Sequence, residues 1–209
     1  MSPDANTAER VYADLKRELL GGRFSPARPL NVHALADEVG TSITPVRDAL
    51  QRLVGERLVD IQPGGGFILP PLTEMRLNDL YLWHAQLVRA AIRPQSPNGT
   101  LNDLFPVIEK LDPHDAVAIA TMTGELFERI GERALNIEHR QAIRSAGERL
   151  HAVRVHEIGI KDRPSELRSL CRDAVPGAEH RLRATISTYH QRRIRRSSQT
   201  IGSFLSAPR

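Results

Sequence analysis

The chain has a single cysteine, Cys171, among its 209 residues. One thiol excludes an intramolecular disulfide framework and any zinc site built from several cysteines. Its place in an apolar helical pattern marks it as a small buried hydrophobe. No window approaches the roughly 18 consecutive apolar residues of a membrane span. The opening MSPDANTAER is polar and leans acidic, so it is no secretory signal. These absences lead to the expectation of a cytoplasmic protein with no membrane partner. The glycine run Gly64-Gly65-Gly66 is not followed by Lys-Ser/Thr, so it is no phosphate loop. No Ser-His-Asp or Cys-His arrangement and no usefully spaced carboxylate pair stands out, and no enzyme is expected.

What is present is ordinary in bulk and specific in detail. Hydrophobic residues at 40% and charged residues at 26% suit a globular chain, long enough for one large or two small domains. The net charge of +4 invites a nucleic-acid reading. Its distribution does not help. Through residue 70 there are eight bases and nine acids; beyond it there are 21 bases and 16 acids.

The stretch from Leu30 to Pro70 organises the chain. Asn31 suits an N-cap, and Val32, Leu35, Ala36 and Val39 repeat at helical spacing until Gly40 closes the helix. After the turn TSIT, Pro45 falls in the first turn of a second helix, whose apolar stripe is Val46, Leu50 and Leu53. Its opposite face shows Thr44, Arg47 and Gln51 together. Arg and Gln can bond two base-edge groups at once in a major groove. Leu58, Val59 and Ile61, then Phe67, Ile68 and Leu69, flank Pro63-Gly64-Gly65-Gly66 as strand, turn and strand. The pattern is a winged helix-turn-helix; the plainer alternative is a helical hairpin packed for its own sake.

Before this stretch, residues 1 to 6 read as disordered, and Thr7 caps a helix through Ala8, Val11, Leu15 and Leu19. Lys16 and Arg17 could reach phosphate from it, although surface solvation is the simpler role. SPARPL is an extended link. After the break at Pro70-Pro71 the pattern is helical throughout: a long helix from about Thr73 to Ile92, a loop from Arg93 to Thr100, a short helix from Leu101 to Leu111, and one opened by Asp112-Pro113 with Ala116, Ile119, Ala120, Thr123, Phe127 and Ile130 inward. Helices from Ile137 to about Ile158, from Pro164 and from Ala178 follow, with a frayed tail after Arg196. The basic run Gln191–Arg196 either complements the end of its helix or forms an anion patch. The expected fold is mainly α: a winged helix-turn-helix with a small β-hairpin wing at 7–70, then an all-helical antiparallel bundle of about six helices at 72–200.

Leu35, Ala36, Gly40, Ser42, Thr44, Pro45, Val46, Arg47, Ala49, Leu50, Arg52 and Leu53 together resemble the signature of the GntR-type bacterial regulators. The helical remainder resembles, by its layout, the FadR-like (FCD) subfamily. The resemblance implies a transcriptional regulator, homodimeric on palindromic double-stranded DNA and controlled by a small anionic effector. It implies DNA contacts from His33, Ser42, Thr44, Arg47, Gly65 and Gly66, beside Gln51 from the helical face. Two positions depart from it: Ile43 stands where relatives often carry a base, and Ala27 stands where the link normally has glycine.

In the same subfamily one Asp and three His hold a divalent metal, over which a carboxylate-type metabolite binds. Here Gly124 stands for the Asp, Glu128 for the first His and Arg168 for another; a shift by one residue offers Thr123 and Phe127 instead. Only His190 survives. On the long first helix the arginine position falls on His84 and the glutamate on Val88. A guanidinium cannot deprotonate, and it would repel a dication. No metal and no other cofactor is therefore expected. His84, Glu128, Arg168 and His190 then form a rebuilt pocket that binds an anion directly, or His190 is only a satisfied core histidine. The alternative function is a helical protein-interaction module with a vestigial pocket.

Overall fold

The computed structural model describes residues 3–93 and 101–206. They fall into two compact units that divide between Leu72 and Thr73.

The first unit begins with α1 (Pro3–Leu20), which starts four residues ahead of the expected cap at Thr7. Proline at a first helical position costs nothing, because that N–H has no helical partner. Helix α2 (Val32–Val39) is capped by Asn31, whose side chain accepts from the N–H groups of His33 and Ala34 at 3.1 and 3.2 Å. It ends at Gly40, which takes φ = 67° so that Thr41 N–H can reach back to Ala36 O. Helix α3 (Ile43–Gly55) follows after a two-residue turn. Val11, Leu15 and Leu19 of α1 pack with Leu35, Ala36, Val46, Ala49, Leu50 and Leu53 into one core. At the wing the structure adds a strand. β1 (Pro29–Leu30), inside the link read as merely extended, pairs with β3 (Phe67–Ile68), which also pairs with β2 (Asp60–Ile61), both antiparallel. Gly64, Gly65 and Gly66 turn the hairpin with φ between 89° and 99°, a region open to glycine at little cost.

The second unit is helical among its described residues: α4 (Glu74–Ala91), a 3₁₀ turn at Leu101–Asp103, α5 (Phe105–Glu109), α6 (Ala116–Gly131), α7 (Ile137–Val155), α8 (Arg163–Asp173), α9 (Glu179–Ile194) and α10 (Ser197–Ser206). The seven α-helices exceed the expected six because the tail read as frayed is α10. Its Phe204 is buried, with its ring 4.6 Å from that of His156. The Leu101–Leu111 helix is split into the 3₁₀ turn and α5. Helix α6 starts at Ala116 under an Asp115 cap rather than at Asp112-Pro113. The expected Arg93–Thr100 loop falls largely on 94–100, outside the described residues. A core of Val88, Ile108, Ile119, Leu126, Phe127, Ile130, Ile143, Leu170 and Ile186 holds the bundle. Gly131 lets α6 and α7 close up, since a Cβ there would stand 3.0 Å from Ile143.

Candidate functional site

In the first unit α3 buries Val46, Ala49, Leu50 and Leu53 and presents Thr44, Arg47 and Gln51 to solvent. His33, Ser42, Gly65 and Gly66 are exposed as well. Ser42 occupies the N-cap position of α3, yet its hydroxyl makes no capping bond. Ile43 is partly buried against the core, so at this position a base has been exchanged for packing.

Ion pairing divides the eight basic residues of this unit in half. Lys16 pairs with Glu56 at 2.9 Å and Arg17 with Asp14 at 2.5 Å, so the two cations considered for phosphate are committed to acids. Arg23 bridges Glu18 and Glu38. Arg52 pairs with Glu9 at 2.7 Å and lies 3.7 Å from the centre of the Tyr12 ring, whose hydroxyl donates to Glu56. Arg10, Arg28, Arg47 and Arg57 are exposed, and their side chains make no hydrogen bond or ion pair among the described residues. A near-neutral count thus hides four free guanidinium groups, one of them at the centre of the exposed α3 face. Uncompensated cations are the ones that can displace counterions from a phosphate backbone.

In the second unit two of the four expected pocket residues meet. His84 of α4 and His190 of α9 are buried, with His84 Nδ1 2.8 Å from His190 Nε2. His190 Nδ1 lies 2.7 Å from Ile186 O. A carbonyl can only accept, so His190 carries its proton on Nδ1 and accepts at Nε2. His84 must then donate from Nδ1, which leaves its Nε2 as a bare lone pair. That atom is buried and has no partner. Burial holds both imidazoles neutral: desolvation pulls His190 down to about 3 and His84 well below its ordinary value, with the nearby Arg154 charge adding to both. Phe127 packs edge-on to His84 at 4.9 Å between ring centres.

Beside this pair lies a residue the sequence did not bring forward. Arg154 of α7 is fully buried and meets no carboxylate. Its Nη1 donates to Gly147 O at 3.3 Å, while Nε and Nη2 have no partner. The other buried charges on this side are paired. Glu157 receives Arg193 at 3.1 Å, Arg163 at 3.6 Å and the Tyr81 hydroxyl at 2.5 Å, and Glu166 receives Arg193 and the partly exposed Arg192. Arg154 is left as an uncompensated buried cation, an arrangement that costs several kcal/mol.

Glu128 and Arg168 join this centre through no hydrogen bond or ion pair. Glu128 lies half-exposed 3.6 Å from Arg144, its carboxyl pushed up by burial, and Arg168 lies half-buried on α8. On α6 the inward pair is Thr123 and Phe127, both buried. The one-residue shift is therefore the register that faces the histidines. These residues do not fit a divalent metal. Thr123 and Phe127 replace two ligands, His190 Nε2 is taken by His84, and Arg154 brings a positive charge. Among the described residues no group of three or more His, Cys, Asp or Glu side chains is placed to hold a metal ion.

The basic run at the end of α9 borders an open groove of about 720 Å³ between Thr188 and Gln199, on residues separate from the histidine pair. Two of its arginines are already tied down, Arg192 to Glu166 and Lys161 O and Arg196 to Gly159 O. The helix-end reading of this run fits that geometry better than an anion patch.

The first unit is thus a winged helix-turn-helix domain with an uncommitted α3 face, and the second is a helical bundle with an unsatisfied polar centre. Residues 7–69 match the bacterial regulatory proteins of the gntR family, and this domain belongs to that family. The chain is 33% identical over 103 residues to the HTH-type transcriptional regulator McbR of Escherichia coli (strain K12), covering 49% of this chain and 47% of McbR. It is 29% identical over 77 residues to the gluconate operon transcriptional repressor of Bacillus licheniformis, covering 37% of this chain and 31% of the repressor. These matches span about half or less of the relatives' length. The fold likeness reaches further. E. coli McbR/YncC superposes with a TM-score of 0.69 at 23% identity, over 93% of this chain and 98% of that one. A GntR-type transcriptional regulator from Rhodococcus sp. RHA1 gives 0.74 at 18%, over 93% and 97%. The second unit accordingly shares the fold of the FadR-like C-terminal domain type, to which McbR belongs. No helix of the described residues is long and apolar enough to cross a membrane.

Proposed function

We propose that the chain is a sequence-specific DNA-binding transcriptional regulator, acting as a homodimer on a two-fold symmetric operator, with its DNA affinity set by a small anionic effector bound in the helical unit. The observation that carries this reading is the α3 face: Thr44, Arg47 and Gln51 exposed together, with Arg47 free of any acid. On this reading α3 enters the major groove, Arg47 takes a guanine edge in a bidentate contact, and His33, Ser42 and the Gly65-Gly66 wing tip meet the backbone. One recognition helix reads only a few base pairs, so two copies related by a two-fold axis are needed for a useful site. Met75, Leu82 and Trp83 support a self-association surface, being large apolar side chains exposed on one helix, α4. The unsatisfied centre around Arg154 supports the effector.

The test is a footprint on DNA that the protein itself selects. Arg47→Ala should lose discrimination worth roughly 1–3 kcal/mol while its circular dichroism and unfolding stay unchanged, because the side chain packs against nothing. A footprint unchanged by this substitution contradicts the assignment.

A further inference from the structure

Three features of the bundle centre describe the ligand it lacks. The first is the free edge of Arg154: Nε and Nη2 lie on the same side of the guanidinium and form the fork that grips a carboxylate with two parallel hydrogen bonds. Its Nη1, on the other side, is spent on Gly147 O. The second is the lone pair of His84 Nε2, fixed as an acceptor by the proton order His84 Nδ1–H to His190 Nε2 and His190 Nδ1–H to Ile186 O. An acceptor repels a carboxylate but takes a hydroxyl. The third is the shared location of these groups. Gly147 lies against both, with Arg154 bonded to its carbonyl and His84 Nε2 3.8 Å from the place where its Cβ would stand. On the facing helix the place of a Gly124 Cβ is 4.0 Å from Arg154 Nη1.

We propose that this centre binds a hydroxycarboxylate directly, with no bridging metal. The carboxylate is held by Nε–H and Nη2–H of Arg154, and the neighbouring hydroxyl donates to Nε2 of His84. Such a ligand supplies the missing negative charge and satisfies three buried polar atoms at once. A simple carboxylate would satisfy only the arginine, and a metal-bridged anion would place a dication beside Arg154. The inference deepens the effector half of the proposed function and rests on it, so binding is read without DNA: failure here removes this ligand chemistry and leaves the footprint result untouched.

The experiment uses full-length protein stripped with chelator. Its thermal unfolding and calorimetric binding are measured with glycolate, the smallest anion carrying both groups, with acetate, which lacks the hydroxyl, and with chloride at matched ionic strength. Glycolate should bind roughly fivefold more tightly than acetate, the ratio expected of one added net hydrogen bond, and both should stabilise the protein beyond chloride. Arg154→Met should abolish both responses and unfold no lower than the wild type without ligand, since it removes an unpaired buried charge. His84→Leu should keep the acetate response and lose the preference for glycolate. Should Arg154→Met fail to fold, the His84 Nε2 resonance of the ¹⁵N-labelled wild type serves instead, moving with glycolate and holding still with acetate. The proposal is overturned by a wild type that answers glycolate no better than chloride, by an Arg154→Met protein that keeps the response, by an unmoved His84 resonance, or by binding that appears only after a divalent metal is added.

Discussion

His84 donates its Nδ1 proton to His190 Nε2 across 2.8 Å, inside a core that admits neither imidazole in charged form. The folded-state values of both are depressed from 6.5, that of His190 to about 3, so the unfolded chain binds more protons through this window. Stability is therefore complete above about pH 6.5 and falls as pH drops towards 3, by up to roughly 1.4 kcal/mol per pH unit for each histidine. Urea unfolding at a series of pH values should show His84→Leu losing about half of the histidine contribution to that slope. Parallel curves for variant and wild type would mean that the pair is not buried neutral.

Ala27 takes φ = 57°, held there by its N–H bond to Leu69 O at 3.0 Å. This is the position where the resemblance leads one to expect glycine, and the left-handed backbone gives the reason. Alanine there is strained by about 1–2 kcal/mol, part of which glycine forfeits through its freer unfolded chain. Ala27→Gly should raise the stability of the winged unit by roughly 0.5–1 kcal/mol in calorimetry. A lower transition temperature would show that the strain is absent.

Trp83 stands about half exposed on α4, on the helix that also exposes Leu82 and Met75. A charge placed there should be tolerated by a lone bundle and not by a paired one. Light scattering on full-length Trp83→Glu should report a monomer where the wild type reports a dimer, with unchanged helical content. A dimeric variant would move the interface elsewhere.

Much of the winged domain was legible because its signals are local. Asn31, Gly40, Pro45 and Gly64 to Gly66 each act on the backbone within a few residues, and each lies where its chemistry requires. Strand β1 was not legible, since two residues show no period and its partner β3 lies far along the chain. Helix α10 escaped because Ser and Thr dilute its apolar face, and what buries Phe204 is His156 on another element. In the bundle, the register error on α6 was avoidable: Thr123 and Phe127 belong to the stripe with Ile119 and Ile130, and Glu128 does not. Arg154 follows Ile143, Gly147 and Leu150 at i+11, i+7 and i+4, which is the inward stripe of α7. A charge on an apolar stripe was the available signal. The default that charges face water concealed it.

Half the bases of the winged unit are neutralised by neighbours, and that division predicts which substitutions matter. Arg47→Ala should cost specific binding. Lys16→Ala, which only unties Glu56, should leave the salt dependence of DNA binding nearly as it was. The most direct measurement is selection of random-sequence duplexes by the full-length protein, followed by sequencing of the enriched pool. The account predicts a two-fold symmetric motif whose half-sites disappear in Arg47→Ala and persist in Lys16→Ala. A pool with no enriched motif, or one unaffected by Arg47→Ala, would contradict it.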